Sequence, residues 1–453
     1  MSTLALRARG VARDASHAGR LNAWLNRLLV VAGLLLFCGL AVTFSTTVFL
    51  RIALERPPYD DFFRQLLFAG VGIVLAGGFI VLTRTFRPVR RWLRFVIPVV
   101  FFLSLLLVAM VKLSPLGVTV MGATRGLNVG LFTFQPSELL KLSLPLYLAQ
   151  VLCWWRQQPR PDGDRDARGV SDSRVGVGGR ITWPRRPAAG AIRPSGRPMW
   201  PDLPKRCWAA VLLAVGLTVI QPDLGTASVV LGSGIITMIL AGVRWQSLVL
   251  FVAALCVVVL LVFAVAPSRF DYAFERLHTW MHPRADVEGE GYQITQSRGA
   301  IAAGRLFGRG FLKSEQKMNR LPLCTKDFVF PVIVEEMGYI GGMGVILLFV
   351  SLAWVGLRMS LLSRDPFNRT VIAALGLNVC LQGLVNIGTT TGALPLSGLT
   401  LPFFSEGGSS LVVSLCALGT MYALGLSELA QARAEGAPAA VGVPGGAPAP
   451  PLR

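Results

Sequence analysis

The chain has 453 residues, 53% of them hydrophobic and 15% charged, with a mean hydropathy of +0.58. A soluble chain of this length would divide into several domains, none with so little charge, and the missing strand-type alternation argues against a β-barrel. The net charge of +20 lies mostly in short connections and tails, as the positive-inside rule requires, so it implies no nucleic-acid partner.

These features predict an all-α polytopic membrane protein with about ten transmembrane helices. The expected spans are 28–50, 65–83, 93–111, 136–154, 206–221, 226–242, 245–267, 329–357, 370–392 and 409–428. Residues 1–27 form a basic tail carrying Arg7, Arg9, Arg13, Arg20 and Arg27. The apolar segment that follows is long enough to stay as a span rather than serve as a cleaved signal. Arg84, Arg87, Arg90, Arg91 and Arg94 crowd the second connection, which places it and the N-terminus in the cytoplasm. An even number of spans returns the C-terminus to the same side. The transmembrane domain is expected over 28–430. It is interrupted at 155–205 by a Pro-, Gly- and Arg-rich flexible cytoplasmic insert, and a disordered tail follows at 431–453.

Residues 268–328 then become the longest outer loop, between the seventh and eighth spans. Long patterned loops carry function more often than short ones, so the chemistry is expected here. The segment "GRLFGRGFLKS" lacks the spacing of a phosphate-binding P-loop. What it does offer is Arg298, Arg305, Arg309, Lys313 and Lys317 around glycines 289, 291, 299, 304, 308 and 310, a surface suited to an anionic ligand.

Other polar groups fall on the same expected side. In "GATRGLNVGLFTFQPSELLKL", Gln135 precedes a helix start at Pro136 and Ser137. Glu138 and Lys141 are three residues apart and share a face, where they would neutralise one another. Asp223 in "QPDLGTA" reads as a helix cap. "LPFFSEGGSSL" holds a second helix start around Ser409, whose free N–H groups suit an anion. Asp327 sits at the entry to the eighth span among Phe328, Val329 and Phe330, with Glu335 and Glu336 deeper in the same segment. Burial raises the basicity of such a carboxylate, and Lys326 beside it pulls the other way. The seven cysteines are scattered with no CxxC, and His278 and His282 find no third ligand, so no metal site is expected.

Six stretches in order, "GLFTFQPSELLKL", "QPDLGTA", "GYQITQS", "SEQKMNRLP", "DFVFPVIVEEMG" and "LPFFSEGGSSL", give the chain from about 115 to 425 a resemblance to the SEDS family (shape, elongation, division and sporulation). "SEQKMNRLP" and "GLTLPF" are more similar to its FtsW and SpoVE branch than to RodA. The resemblance implies a ten-span inverting glycosyltransferase of the bacterial cytoplasmic membrane that polymerises lipid II into peptidoglycan, in septal wall synthesis during division. It implies Asp327 as catalytic base. Arg125, Gln135, Ser137, Glu138, Lys141, Lys317 and Ser409 would line the substrate site, with Asp223, Glu335, Glu336, Lys326 and Glu406 in support. Implied partners are lipid II, the growing glycan strand, a class B penicillin-binding protein, other division-complex membrane proteins and membrane lipids. No cofactor follows from the motifs, and a divalent cation (Mg or Mn) is the one addition such chemistry could use. Where the family has threonine, tyrosine and tryptophan, this chain has Lys326, Glu406 and Gly126. The first two have opposite charge and are expected to pair across the pocket mouth. Two other readings stay open: a flippase for the lipid-linked sugar, and a non-catalytic scaffold for a wall synthase.

Overall fold

The computed structural model describes residues 2–53, 55–85, 89–113, 117–120, 123–128, 133–157, 205–221, 223–265, 271–286, 289–318 and 321–436. Most of the 155–205 insert, and the tail beyond Gly436, lie outside the described residues. Twelve helices and one small sheet account for the described chain: α1 (Ser2–Ala53), α2 (Asp60–Thr85), α3 (Val89–Leu113), β1 (Gly117–Val120), β2 (Ala123–Asn128), β3 (Thr133–Phe134), α4 (Pro136–Gln157), α5 (Lys205–Ile220), α6 (Leu224–Leu240), α7 (Trp245–Val265), α8 (Asp271–Met281), α9 (Glu290–Gly304), α10 (Val329–Leu362), α11 (Pro366–Thr390) and α12 (Gly408–Gly436).

Each expected span coincides with a helix. Six of them, in α1, α2, α3, α10, α11 and α12, are long and apolar enough to cross a membrane, and Leu224–Leu240 and Trp245–Val257 are shorter apolar helices. The protein is thus a multi-pass helical membrane protein. The ends differ from expectation. Helix α1 begins at Ser2, so residues 2–27 of the basic segment are helical and continuous with the first span, since no proline interrupts the chain before Pro57. At the other end α12 runs on to Gly436, six residues into the segment expected to be disordered.

The helices pack in two groups. One apolar core joins α1, α10, α11 and α12 through Leu21, Leu35, Phe349, Leu375 and Met421. A second joins α3, α4, α5 and α6 through Phe101, Leu144, Val211 and Val230. The antiparallel sheet β1-β2-β3 packs against α3, α4 and α12. Polar contacts stitch the two cores together: Asn378 on α11 donates to the Lys141 carbonyl on α4 at 2.8 Å.

Helix α10 is broken where the loop before it needs entry. Gly338 has φ 72 and ψ −176 inside the helix. A Cβ there would lie 2.2 Å from the Leu306 carbonyl oxygen, so both the left-handed backbone and the close approach require glycine. The freed backbone groups pair with the loop instead. Tyr339 N donates to Arg305 O at 2.9 Å, Arg309 N to Glu335 O at 2.9 Å and Gly310 N to Glu336 O at 3.0 Å. Residues 305–310 are thereby laced into the side of a helix, and Gly308, itself at φ 79, could carry no Cβ against Glu336 O.

Candidate active site

Asp327 ends the loop that leads into α10, and it is half-buried. Its backbone carbonyl accepts a hydrogen bond from Asn386 Nδ2 at 2.9 Å, and the same nitrogen donates to Leu399 O at 2.6 Å. One amide on α11 therefore fixes the aspartate's backbone against the α11–α12 connection. The residue before it is fixed from the same side: Ser405 Oγ donates to the Lys326 carbonyl, and Glu406 N donates to Thr325 O at 2.8 Å. The backbone of 325–327 is held at three consecutive carbonyls while the Lys326 side chain stays exposed.

Thr325 and Lys326 also line a cavity of about 470 Å³, together with Arg51, Arg56, Asp61, Arg64, Lys317 and Glu406. Five basic and two acidic side chains give it a positive interior. Arg51 is committed to Asp61, with Nε to Oδ2 at 2.5 Å, whereas Arg56 is exposed.

Lys317 is fully buried and is held by Glu336 at 2.5 Å and by Ser45 Oγ at 3.1 Å. Ser45 in turn donates to Glu336 at 2.7 Å, so α1, the loop and α10 meet at one buried charge pair. The neighbouring Glu335 accepts from Ser314 Oγ at 2.5 Å and from the backbone N–H groups of Glu315 at 3.1 Å and Gln316 at 3.4 Å. A turn that presents successive N–H groups to a carboxylate forms an anion-holding nest. The two adjacent glutamates thus secure the segment 314–317 from below, one by its backbone and one by its lysine.

The second buried pair lies within α4. Lys141 Nζ meets Glu138 Oε1 at 2.7 Å and Gln382 Oε1 at 2.9 Å, and Gln382 continues to Thr400 O at 3.1 Å. Gln135 N donates to Ser409 Oγ at 3.2 Å, joining the starts of α4 and α12. Ser137 is buried with its hydroxyl unpartnered among the described residues. Asp223 caps α6, accepting from Thr226 N at 3.2 Å and Thr226 Oγ1 at 2.8 Å. Arg125 lies on β2, and its side chain is outside the described residues.

The expected Lys326–Glu406 ion pair is not formed. Glu406 hydrogen-bonds the Thr325 side chain, and Lys326 acts on it only as one of several surrounding charges. Burial pushes the Glu406 carboxyl up from its ordinary range and the Asp61 charge adds to this, while Thr325, Lys326 and Arg51 pull back. The lysine side chain is exposed, so its charged head is solvated while its backbone is held. The fit of a divalent cation is poor on donor grounds. Asp61 is occupied by Arg51 and Glu406 by Thr325, and among the described residues no three His, Cys, Asp or Glu groups cluster at metal spacing.

Sequence reasoning missed Ser45, Gln382 and Asn386. Gln382 and Asn386 stand four apart on α11, one helical turn, and that spacing was their available signal.

The FtsW/RodA/SpoVE family, described as cell cycle proteins, matches residues 26–169 and 191–428. The stage V sporulation protein E of Bacillus subtilis is 32% identical over 397 residues, covering 87% of this chain and 94% of that protein. A probable peptidoglycan glycosyltransferase FtsW of Halorhodospira halophila is 31% identical over 428 residues, covering 93% and 96%. A solved chain from work titled "Structural coordination of polymerization and crosslinking by a peptidoglycan synthase complex" superposes with TM-score 0.61 at 26% identity, covering 88% of this chain and 97% of that one. The rod shape determining protein RodA of Thermus thermophilus gives TM-score 0.52 at 25% identity, covering 87% and 96%. With matches over most of its length in both sequence and fold, the chain belongs to the FtsW/RodA/SpoVE family, known as SEDS, with curated relatives on its FtsW and SpoVE side.

Proposed function

We propose that this protein is a peptidoglycan glycosyltransferase that polymerises lipid II at the outer face of the bacterial cytoplasmic membrane, in septal wall synthesis. The observation that carries the reading is Asp327: a half-buried carboxylate residue with a backbone fixed by Asn386, next in the chain to Thr325 and Lys326 on the wall of a positive cavity. Its carboxylate takes the proton from the 4-hydroxyl of the acceptor sugar. The hydroxyl oxygen bonds to the anomeric carbon of the donor from the face opposite the pyrophosphate. The C1–O bond to undecaprenyl pyrophosphate breaks, its electron pair leaves with the pyrophosphate, and the configuration inverts.

The leaving group needs positive charge where its negative charge develops. Arg56, Arg64 and Lys326 on the cavity wall supply it. Lys317 and Lys141 are occupied by Glu336 and Glu138, so they hold the pocket in shape. Gln135, Ser137 and Ser409, at the starts of α4 and α12, and Arg125 on β2 complete the substrate side. The topology that serves this reaction has ten spans with both termini cytoplasmic and residues 268–328 outside. The partner is a class B penicillin-binding protein that crosslinks the emerging strand, a pairing in keeping with the synthase complex that the fold matches.

The test is polymerisation of labelled lipid II by purified protein, alone and with that partner. Glycan chains that vanish with Asp327→Ala and persist with Asp223→Ala are the expected result. Headgroup translocation in vesicles without polymer would establish a flippase instead, and full activity of Asp327→Ala would remove the proposed base.

A further inference from the structure

A second and larger cavity plays no part in this chemistry. It is a groove of about 750 Å³ walled by the first turns of α3 and α5 and the last turns of α4, and closed by the start of α11. Ile97, Phe101, Phe102, Tyr147 and Leu213 form its body, and Arg94, Gln150, Arg206 and Asp365 form its rim. Phe95 is 76% exposed and Phe102 55%, both on a helix apolar enough to cross the membrane, so the groove opens sideways into hydrocarbon. Charge at one end and hydrocarbon along the remainder match an amphiphile that enters from the bilayer.

The rim also states which headgroup fits. Arg94 and Arg206 have no ion-pair or hydrogen-bond partner for their guanidinium groups among the described residues, whereas Asp365 is already engaged. Two uncompensated guanidinium groups select a phosphate, which they can grip bidentately. Gln150 donates through Nε2 to the Arg94 carbonyl at 2.9 Å, and that bond points its Oε1 into a buried position with no partner. A buried acceptor left in this state is costly unless a donor arrives.

We propose that this groove binds an anionic glycerophospholipid with a hydroxylated headgroup. The phosphate sits between Arg94 and Arg206, a headgroup hydroxyl donates to Gln150 Oε1, and one acyl chain lies along Phe101, Phe102 and Leu213. A zwitterionic headgroup brings an ammonium toward two arginines, and a polyprenyl phosphate has no hydroxyl for Gln150. Basic pockets between transmembrane helices are established receivers of anionic headgroups.

The test uses the full chain in nanodiscs with equal phosphatidylglycerol and phosphatidylcholine, followed by native mass spectrometry of the lipids retained. Phosphatidylglycerol is expected to be retained about thirtyfold over phosphatidylcholine, the ratio that about 1 kcal/mol from each of two arginines at a membrane surface produces. Arg94→Gln with Arg206→Gln brings the two lipids to parity. Gln150→Leu lowers the retention of phosphatidylglycerol and leaves unchanged that of phosphatidic acid, measured in parallel nanodiscs, which has no headgroup hydroxyl beyond its phosphate. Ala209→Trp, at an exposed position on the groove wall, fills the space and expels the lipid while both arginines remain.

Equal retention of the two lipids in the unaltered protein would overturn the proposal, as would phosphatidylglycerol surviving Ala209→Trp or being displaced by equimolar undecaprenyl phosphate. Inorganic phosphate protecting the protein from heat as well as the lipid does would overturn it too, since the acyl chain would then contribute nothing.

Discussion

The two buried ion pairs differ in what they hold. Glu138 and Lys141 lie one turn apart on α4, so the pair forms as soon as that helix does and neutralises its own charge. Lys317 and Glu336 come from a loop and a helix, with Ser45 from α1 as the third member, so this pair exists only when three elements have met. A local pair spares a helix the cost of a bare charge. A tertiary pair of the same chemistry decides where a loop stands. The loop in question carries Asp327.

The largest expected effect tests the loop side directly. Asp327→Asn is expected to lower polymerisation by about 10²–10⁴-fold, the range for removing a positioned general base, with the melting temperature unchanged in detergent. A fall no greater than threefold would mean that the loop positions something else. Next comes Lys317→Met, which leaves Glu336 buried without its cation and is expected to destabilise by about 3–5 kcal/mol. Hydrogen exchange should then rise over 305–318. Lys141→Met is expected to leave exchange in that loop as it was, because its partners are on α4 and α11. If both variants loosen the loop equally, the distinction between local and tertiary pairs fails.

Gly338→Ala probes the backbone lacing. Placing a Cβ at φ 72 against a carbonyl oxygen is expected to cost about 1–3 kcal/mol, read as a lower denaturation midpoint with faster exchange at Arg309 and Gly310. The smallest effect belongs to Glu406. Its folded-state carboxyl is raised by burial, so the folded protein binds that proton more tightly than the unfolded chain. The penalty is absent below the ordinary glutamate range near pH 4 and grows as pH rises through the folded value. Glu406→Gln keeps a hydrogen-bond partner for Thr325 and should raise the melting temperature by a few degrees at neutral pH and not at all near pH 4. An equal gain at both pH values would show that charge is not the cause.

Much of this was legible in the sequence, and particular residues show where legibility stopped. Hydropathy alone places helices at every expected span, because a bilayer demands long apolar runs whatever the fold. The Glu138–Lys141 pair and the Asp223 cap are local, so spacing reveals them. Ser45 and Glu336 are 291 positions apart, and Asn386 reaches Asp327 across 59, so no window of sequence contains either contact. The Lys326–Glu406 pair was inferred from opposite charge on one expected side. It failed because charge sign says nothing about reach: Thr325 was closer to the glutamate than the lysine head.

The break at Gly338 has a consequence for how the protein is made. Residues 305–310 leave the ribosome before Glu335–Ile340, the segment whose backbone they must pair with, and well before Asn386 and Leu399, which seat Asp327. During synthesis the loop therefore waits, with its partners still unborn. The aspartate takes its place only after α10 and α11 have both been delivered to the membrane. Assembly of the loop that carries Asp327 is a late event by construction, and a chain stalled or cut after α10 would carry the aspartate without the Asn386 contact that seats it.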